Sequence, residues 1–380
     1  MNNIDWSKKL VALRSLRSIH HATNIEPQII NVTWFTGKRC NYNCSYCSPA
    51  IHDWVSPHCP VPDVKSLFSQ INRWAISQNK TFTITLTGGE PFVHPNIIEI
   101  LSIIRETQSW QEQLTVTSNG SVPLELYQQA FEYMTHLTIS LHLERSDSET
   151  ENTLQKIIAL NQQFPDKWIN VQVMCLPGKL DYVENTVMPL LESNNVKFTL
   201  RRIRPWLNEI VDEWKHLSKK EIMKKVYSIE DQSDQRHEEK INQDHRLMQV
   251  YAEGEFYSPD ELEWFRTHEP ATAWQNIALW NEDLDYFETN GDRMVVNDRN
   301  QFRGWSCFAG IDSLYIDFDG QVYRGNCQNA GALGRMGGDI DFPDGPTTCE
   351  RQVCISVIDH TIRKAHPDYV HLVTKQSVDS

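Results

Sequence analysis

No stretch of this chain approaches the roughly 20 consecutive apolar residues needed to span a bilayer. The opening residues Met1-Asn2-Asn3-Ile4-Asp5-Trp6 lack the basic-then-apolar order of a secretory signal. These absences predict a cytoplasmic protein with no membrane partner. Positive charge is also scarce: 36 Lys and Arg stand against 50 Asp and Glu, a net charge of −14. That balance argues against a nucleic-acid backbone as the main partner. Internal repeats and low-complexity tracts are missing, which excludes solenoids and compositionally biased chains. Only about 27 residues precede the first strand-like segment, so no separate N-terminal recognition domain is expected.

What is present is a chain of 380 residues, long enough for one full-sized domain and a smaller one. It is 40% hydrophobic and 23% charged, an ordinary globular balance. Nine cysteines in a reducing compartment point to metal binding or catalysis, not to disulfides. Three of them are close together in Lys38-Arg39-Cys40-Asn41-Tyr42-Asn43-Cys44-Ser45-Tyr46-Cys47. Three thiolates on one short loop can hold three irons of a 4Fe–4S cluster and leave the fourth iron open. A zinc loop is the other reading of the same spacing.

Residues 28–202 alternate strand-like and helix-like patterns. Strands are predicted at 29–36, 81–86, 114–117, 137–141, 169–174 and 196–202, and helices at 64–77, 96–106, 124–133, 148–163 and 183–192. Such units build a parallel α/β sheet whose right-handed crossovers curl it into a partial barrel. Reactive groups then belong at the C-terminal strand ends. Between Trp206 and Asn300 about 22 acidic residues face about 11 basic ones, with helix-like stretches at 218–229 and 259–265. That excess is either a solvated face or a surface for a cationic partner.

The second strand ends in Thr87-Gly88-Gly89-Glu90-Pro91, which by itself reads as a tight turn. The cysteine loop and this motif, one strand–helix unit apart, together resemble the radical S-adenosylmethionine (SAM) superfamily. The resemblance covers residues 29–202 and implies a partial (β/α)6 TIM-like barrel. It implies a 4Fe–4S cluster on Cys40, Cys44 and Cys47 whose open iron chelates SAM. Gly88 and Gly89 would then expose backbone to the SAM amino group, with Glu90 adding negative charge beside it. Ser118 and Asn119 at the third strand end, Ser140 at the fourth, Met174 at the fifth and Arg201 or Arg202 at the sixth would complete the SAM site. Tyr46 would lie near adenine. His94 and His142 read as hydrogen-bonded structural residues.

A second constellation, Cys307, Cys327, Cys349 and Cys354, surrounds an alternating segment with Asp319-Gly320 at its centre, a β-hairpin signal. Four thiolates suit a structural zinc ion. The pattern also resembles the SPASM/Twitch extension of radical SAM enzymes, which implies an auxiliary 4Fe–4S cluster in the shorter Twitch form. Cys327 departs from that pattern, standing two positions beyond the usual cysteine place, which Gly325 occupies. Cys59 and Cys175 remain unassigned, and no catalytic residue is singled out.

The expected organisation is an extension at 1–27, the barrel at 28–205, the acidic aromatic-rich connection at 206–300, the Twitch-like domain at 301–365 and a tail at 366–380. The implied chemistry uses an electron from a flavodoxin or ferredoxin to cleave SAM to methionine and a 5′-deoxyadenosyl radical. That radical abstracts hydrogen from a small molecule, a sugar- or aminocyclitol-like metabolite, with a net oxidation where the auxiliary cluster takes an electron. A maturase of ribosomally made peptides is the alternative. A non-catalytic iron–sulfur electron carrier is a third reading, which the SAM-type motif disfavours.

Overall fold

The structure is a computed structural model. It describes residues 16–21, 28–44, 46–47, 52–108, 112–203, 257–268, 276–281, 286–291, 294, 300–351, 354 and 359–374. The expected helix at 218–229 lies outside them. Among the described residues no helix is long and apolar enough to cross a membrane. The chain forms two compact units, one of residues 1–33, 66–83 and 273–380, the other of 34–65 and 84–272.

In chain order the first elements are β1 (Leu16–His21), β2 (Ile29–Phe35), α1 (Val61–Ser77), β3 (Thr81–Thr87), α2 (Ile97–Thr107), β4 (Leu114–Ser118), α3 (Leu124–Ala130), β5 (His136–His142), α4 (Asp147–Gln163), β6 (Trp168–Cys175) and β7 (Lys197–Arg202). The strands run in the order β2-β3-β4-β5-β6-β7, with parallel ladders from β3 to β7. This is the expected barrel-like α/β sheet, with strand bounds shifted by only one or two residues. Helix starts carry clear signals: Ser146 caps α4 reciprocally with Glu149.

Alternation along these strands is strict. One face carries Leu86, Val116, Leu137 and Ile169 side by side, then Ser118, Ile139, Val171 and Phe198. Helices cover this face; a Cβ added to Gly120 would strike both Thr153 of α4 and Ile139 of β5. The opposite face is polar. Its rows are Thr117–Thr138–Asn170–Lys197, Ser140–Gln172–Thr199 and His142–Met174–Arg201. A parallel sheet buried on both faces reads as continuous apolar runs; here the second face carries hydroxyl and amide side chains instead.

The second unit holds α5 (Pro259–Thr267), capped by Ser258 and Glu261. Tyr257 anchors it to the ends of β6 and β7: its hydroxyl donates to the Cys175 carbonyl (2.6 Å) and accepts from the Ile203 N–H (2.8 Å). Glu261 accepts from the Gly178 N–H, and Trp264 donates to Glu184.

The first unit adds β8 (Asn276–Asn281), β9 (Tyr286–Asn290), β10 (Ser306–Cys307), β11 (Ser313–Ile316), β12 (Gln321–Tyr323), β13 (Ala332–Arg335), β14 (Thr347–Thr348) and β15 (Lys364–Ala365). One sheet runs β14-β10-β15-β1-β8-β9, so β1 pairs with strands more than 250 residues away. The hairpin β11–β12 turns at Asp319-Gly320, where Gly320 has φ +85°. Buried Arg363 grips Asp312 through two hydrogen bonds (2.8 and 2.7 Å), with Lys80 at 3.5 Å on the same carboxylate. Such a group of buried charges holds only because each is paired and bonded.

Candidate active site

The cysteine loop begins where β2 ends and is braced by backbone. Cys40 N–H donates to the Asp53 carbonyl (3.1 Å), and Asp53 N–H donates to Lys38 (2.9 Å). The end of β3 supports it from below. Gly89 N–H bonds the Gly37 carbonyl (2.9 Å) and Glu90 N–H the Arg39 carbonyl (2.7 Å). The glycine pair is required for this approach. A Cβ on Gly89 would sit 2.1 Å from the Arg39 carbonyl oxygen, and one on Gly88 2.7 Å from that of Gly37. Gly88 also has φ +130°. The close approach that the glycines permit is therefore, first, to the chain's own cysteine loop.

Glu90 is buried, with 2% of its surface accessible. Its carboxylate accepts from Phe92 N–H (3.0 Å), Ser118 Oγ (3.0 Å) and Asn119 N–H (2.6 Å). Burial pushes its acid up to about 7, against the pull of these donors. Ser118 Oγ also pairs with the Tyr127 hydroxyl (2.8 Å). Glu90 thus staples the end of β3 to the end of β4, and Tyr127, which the sequence reading missed, closes that staple from α3.

Cys40 is buried, and its sulfur accepts from Tyr42 N–H (3.4 Å) and from Asn119 Nδ2 (3.5 Å). Cys44 Sγ lies 3.4 Å from His142 Nδ1, which also receives the Tyr46 hydroxyl (2.6 Å). The Tyr46 ring stacks on His142 (6.0 Å, 16°), and Tyr42 meets it edge-on (5.7 Å). Burial lowers the His142 pKa to about 4, so its ring is neutral at neutral pH and Nδ1 acts as an acceptor. Burial raises the Cys40 thiol and brings Cys44 to about 11. In the absence of a cation these thiols hold their protons; a bound metal would displace them.

The other sequence-selected residues divide by face. Ser140, Met174 and Arg201 are half-buried on the polar face at the C-terminal strand ends. Cys175 falls on the apolar face beside Arg202, its thiol pushed up to about 12 by burial. His94 uses both ring nitrogens, accepting from Asn96 N–H (3.1 Å) and donating to the Cys59 carbonyl (3.2 Å), as a structural histidine would.

In the first unit Cys307, Cys327, Cys349 and Cys354 line one small cavity with Asp359 and Lys364. Pairing of β10 with β14 places Cys307 opposite Thr347, two residues before Cys349. Asp359 receives the N–H groups of Asn326 and Cys327 (3.3 and 3.1 Å), which sets the displaced Cys327 at the cavity wall. Lys364 is fully buried there and donates to the Ile362 carbonyl (3.1 Å) and to that of Asp359. Burial opposes its charge, but Cys354, Cys307 and Asp359 hold the amine above its ordinary value. Among the described residues no three His, Cys, Asp or Glu side chains close on a point as a single metal ion requires.

The donor set of the first loop suits an iron–sulfur group: three thiols on one loop, with N–H donors already aimed at one sulfur. Comparison with known proteins agrees. The family model described as Radical SAM superfamily matches residues 34–172. A GTP 3′,8-cyclase of Geobacter sulfurreducens is 32% identical over 146 residues, 36% of this chain and 44% of that protein. The subtilosin biosynthesis protein AlbA of Bacillus subtilis is 27% identical over 169 residues, 41% of this chain and 34% of that protein. Streptococcus suis SuiB, solved with its precursor peptide SuiA, aligns with 89% of this chain and 67% of its own at TM-score 0.46 and 13% identity. The chain thus spans less than half the length of these curated relatives. Residues 34–172 match the Radical SAM superfamily, whose members are enzymes that hold a 4Fe–4S cluster and S-adenosylmethionine.

Proposed function

We propose that the chain reductively cleaves SAM and uses the resulting radical to take a hydrogen atom from a small polar molecule, a sugar- or aminocyclitol-like metabolite. The observation that carries this reading is the junction of the cysteine loop with three strand ends, through Gly89 on Arg39, Asn119 on Cys40 and His142 on Cys44. When bound at Cys40, Cys44 and Cys47, a 4Fe–4S cluster supplies the electron that splits SAM into methionine and a 5′-deoxyadenosyl radical. The chain's part is orientation and shelter. Ser140, Met174 and Arg201 stand at the strand ends where the SAM ribose, adenine and carboxylate would be held. Glu90, Ser118 and Tyr46 are engaged with the chain itself and act by fixing the loop. The threonine- and serine-rich face behind them offers hydroxyl partners to a polar substrate.

The shared cavity of Cys307, Cys327, Cys349 and Cys354 supports a second, auxiliary cluster in a Twitch-like domain. A cluster held there would take the electron left on the substrate radical and so complete a two-electron oxidation, while a flavodoxin or ferredoxin supplies the separate electron that cleaves SAM. A peptide-modifying role is the second reading, favoured by the match to AlbA, a protein of bacteriocin biosynthesis. The matches to GTP 3′,8-cyclases favour a small molecule.

The test is anaerobic reconstitution. Reduced protein should convert SAM to 5′-deoxyadenosine and methionine, and Cys44→Ala should abolish this. Unchanged turnover in Cys44→Ala would sink the proposal. Iron analysis should give about eight irons per chain, and about four once Cys40, Cys44 and Cys47 are all alanine. Stoichiometric zinc without iron in that triple variant would assign the second site to zinc.

A further inference from the structure

We propose that Asn119 tunes the cluster held by the cysteine loop, donating an N–H···S hydrogen bond to Cys40 that makes the cluster easier to reduce. The proposal rests on the cluster assignment above and goes beyond it. Asn119 is buried just past the end of β4. Its Oδ1 accepts from Ser121 N–H (2.9 Å), a group that can only donate, so the amide cannot be flipped. Nδ2 therefore faces the cysteine loop. One of its hydrogens goes to Asn41 Oδ1 (2.8 Å) and the other to Cys40 Sγ (3.5 Å). Asn41 is fixed in turn by donating to Ser121 Oγ (2.7 Å). The backbone of Asn119 is held by Glu90. Every hydrogen of this amide has a partner, and its direction is set by three neighbours.

The second donor to the same sulfur, Tyr42 N–H, is backbone and would be present whatever the side chains. Asn119 is the part of this shell that the sequence chooses. Reduction adds one electron to a thiolate-ligated cluster. An N–H aimed at a ligand sulfur stabilises the more negative, reduced state more than the oxidised one, and so raises the potential. Asn119 is a positioning and tuning residue in this account, not a catalytic one.

The test uses the full reconstituted chain without SAM, titrated electrochemically and followed by electron paramagnetic resonance. The open-iron cluster is recognised as the signal that changes when SAM is added afterwards. At the potential where the wild-type cluster is half reduced, Asn119→Leu should show a reduced-to-oxidised ratio about tenfold lower, equal to 59 mV for one electron. Wild-type protein labelled with ¹⁵N in asparagine side chains should show a nitrogen hyperfine coupling on that signal, lost in Asn119→Leu. An unchanged ratio with no such coupling would overturn the proposal. Should Asn119→Leu fail to load iron, the labelled wild-type protein decides alone. A wild-type chain with no SAM-responsive signal would overturn the function proposed above, a result distinct from a loaded cluster without coupling.

Discussion

Replacing Gly89 with alanine tests how the domain is held together. The added Cβ would lie 2.1 Å from the Arg39 carbonyl oxygen and 2.6 Å from both the Arg39 carbonyl carbon and the Lys38 oxygen. All three are backbone atoms, so no side chain can swing away. Contact distance is near 3.4 Å or more, and the end of β3 and the cysteine loop must separate by roughly an ångström. Overpacking of that kind costs about 1–3 kcal/mol. The hydrogen bonds from Gly89 to Gly37 and from Glu90 to Arg39 are stretched or lost, at about 0.5–1.5 kcal/mol each. The sum is roughly 2–6 kcal/mol, against a typical total stability of about 5–15 kcal/mol.

At about 2–4 °C per kcal/mol for a unit of this size, the melting point should fall by about 5–20 °C. Iron loading should fall with it, because the displaced segment is Lys38–Cys40. Gly345, with open space around its Cα, is the control; Gly345→Ala should change neither quantity measurably. A Gly89→Ala protein that melts within 2 °C of wild type, a margin set by the same scaling, and binds the same iron would refute the close-approach argument.

Tyr257→Phe removes the hydroxyl that serves both the Cys175 carbonyl and the buried Ile203 N–H; about 1–3 kcal/mol of stability should go, seen as faster amide exchange at the ends of β6 and β7. Glu90, raised to about 7, contributes stability that is full below pH 4.5 and lost as pH rises through 7. Glu90→Gln should therefore gain on wild type across that window by roughly 3 kcal/mol, and a pH-independent difference in urea unfolding would contradict the burial argument. His142 works the other way. Its pKa is lowered to about 4, so its contribution is full above pH 6.5 and fades as pH falls towards 4; His142→Gln should flatten the acid limb of the stability curve. Lys364→Met leaves Asp359 and four thiolates without their buried cation, and the iron retained in the C-terminal site after gel filtration should drop by half or more; full retention would show the lysine to be incidental.

Much of this was legible in the sequence because the signals are local. Alternation such as Thr81-Phe82-Thr83-Ile84-Thr85-Leu86 marks a strand at once, and the glycine pair marks its end. The cysteine spacing and the Asp319-Gly320 turn are equally local. What could not be read is non-local pairing. Nothing in Leu16–His21 announces strands near residues 277 and 364, and nothing near Glu90 says that its carboxylate will be spent on Asn119. The carboxylate expected beside the SAM amino group is a buried staple, because the two strand ends converge and leave three donors facing it. The displaced Cys327 is explained by Asp359, 32 residues later, whose carboxylate gathers the two preceding backbone N–H groups. Lys364 was overlooked for the same reason: a lone lysine gives no hint that it will be buried among cysteines.

The polar face of the barrel sheet connects these observations. A closed parallel barrel with no guest fills its interior with branched apolar side chains. Here the same positions carry Thr115, Thr117, Thr138, Ser140, Gln172 and Thr199. Threonine keeps the β-branching that favours a strand while turning a hydroxyl inward. A sheet face so composed is costly to bury unless its polar groups are bonded. Some bond one another, as Thr199 does Asn170 at 3.5 Å. Toward the C-terminal strand ends Ser140, Met174 and Arg201 are only half-buried. The bonding is incomplete, because the buried Asn170 Nδ2 has no partner among the described residues. Under the function proposed above, a polar substrate entering at the C-terminal strand ends would meet these hydroxyl and amide groups beside the cysteine loop.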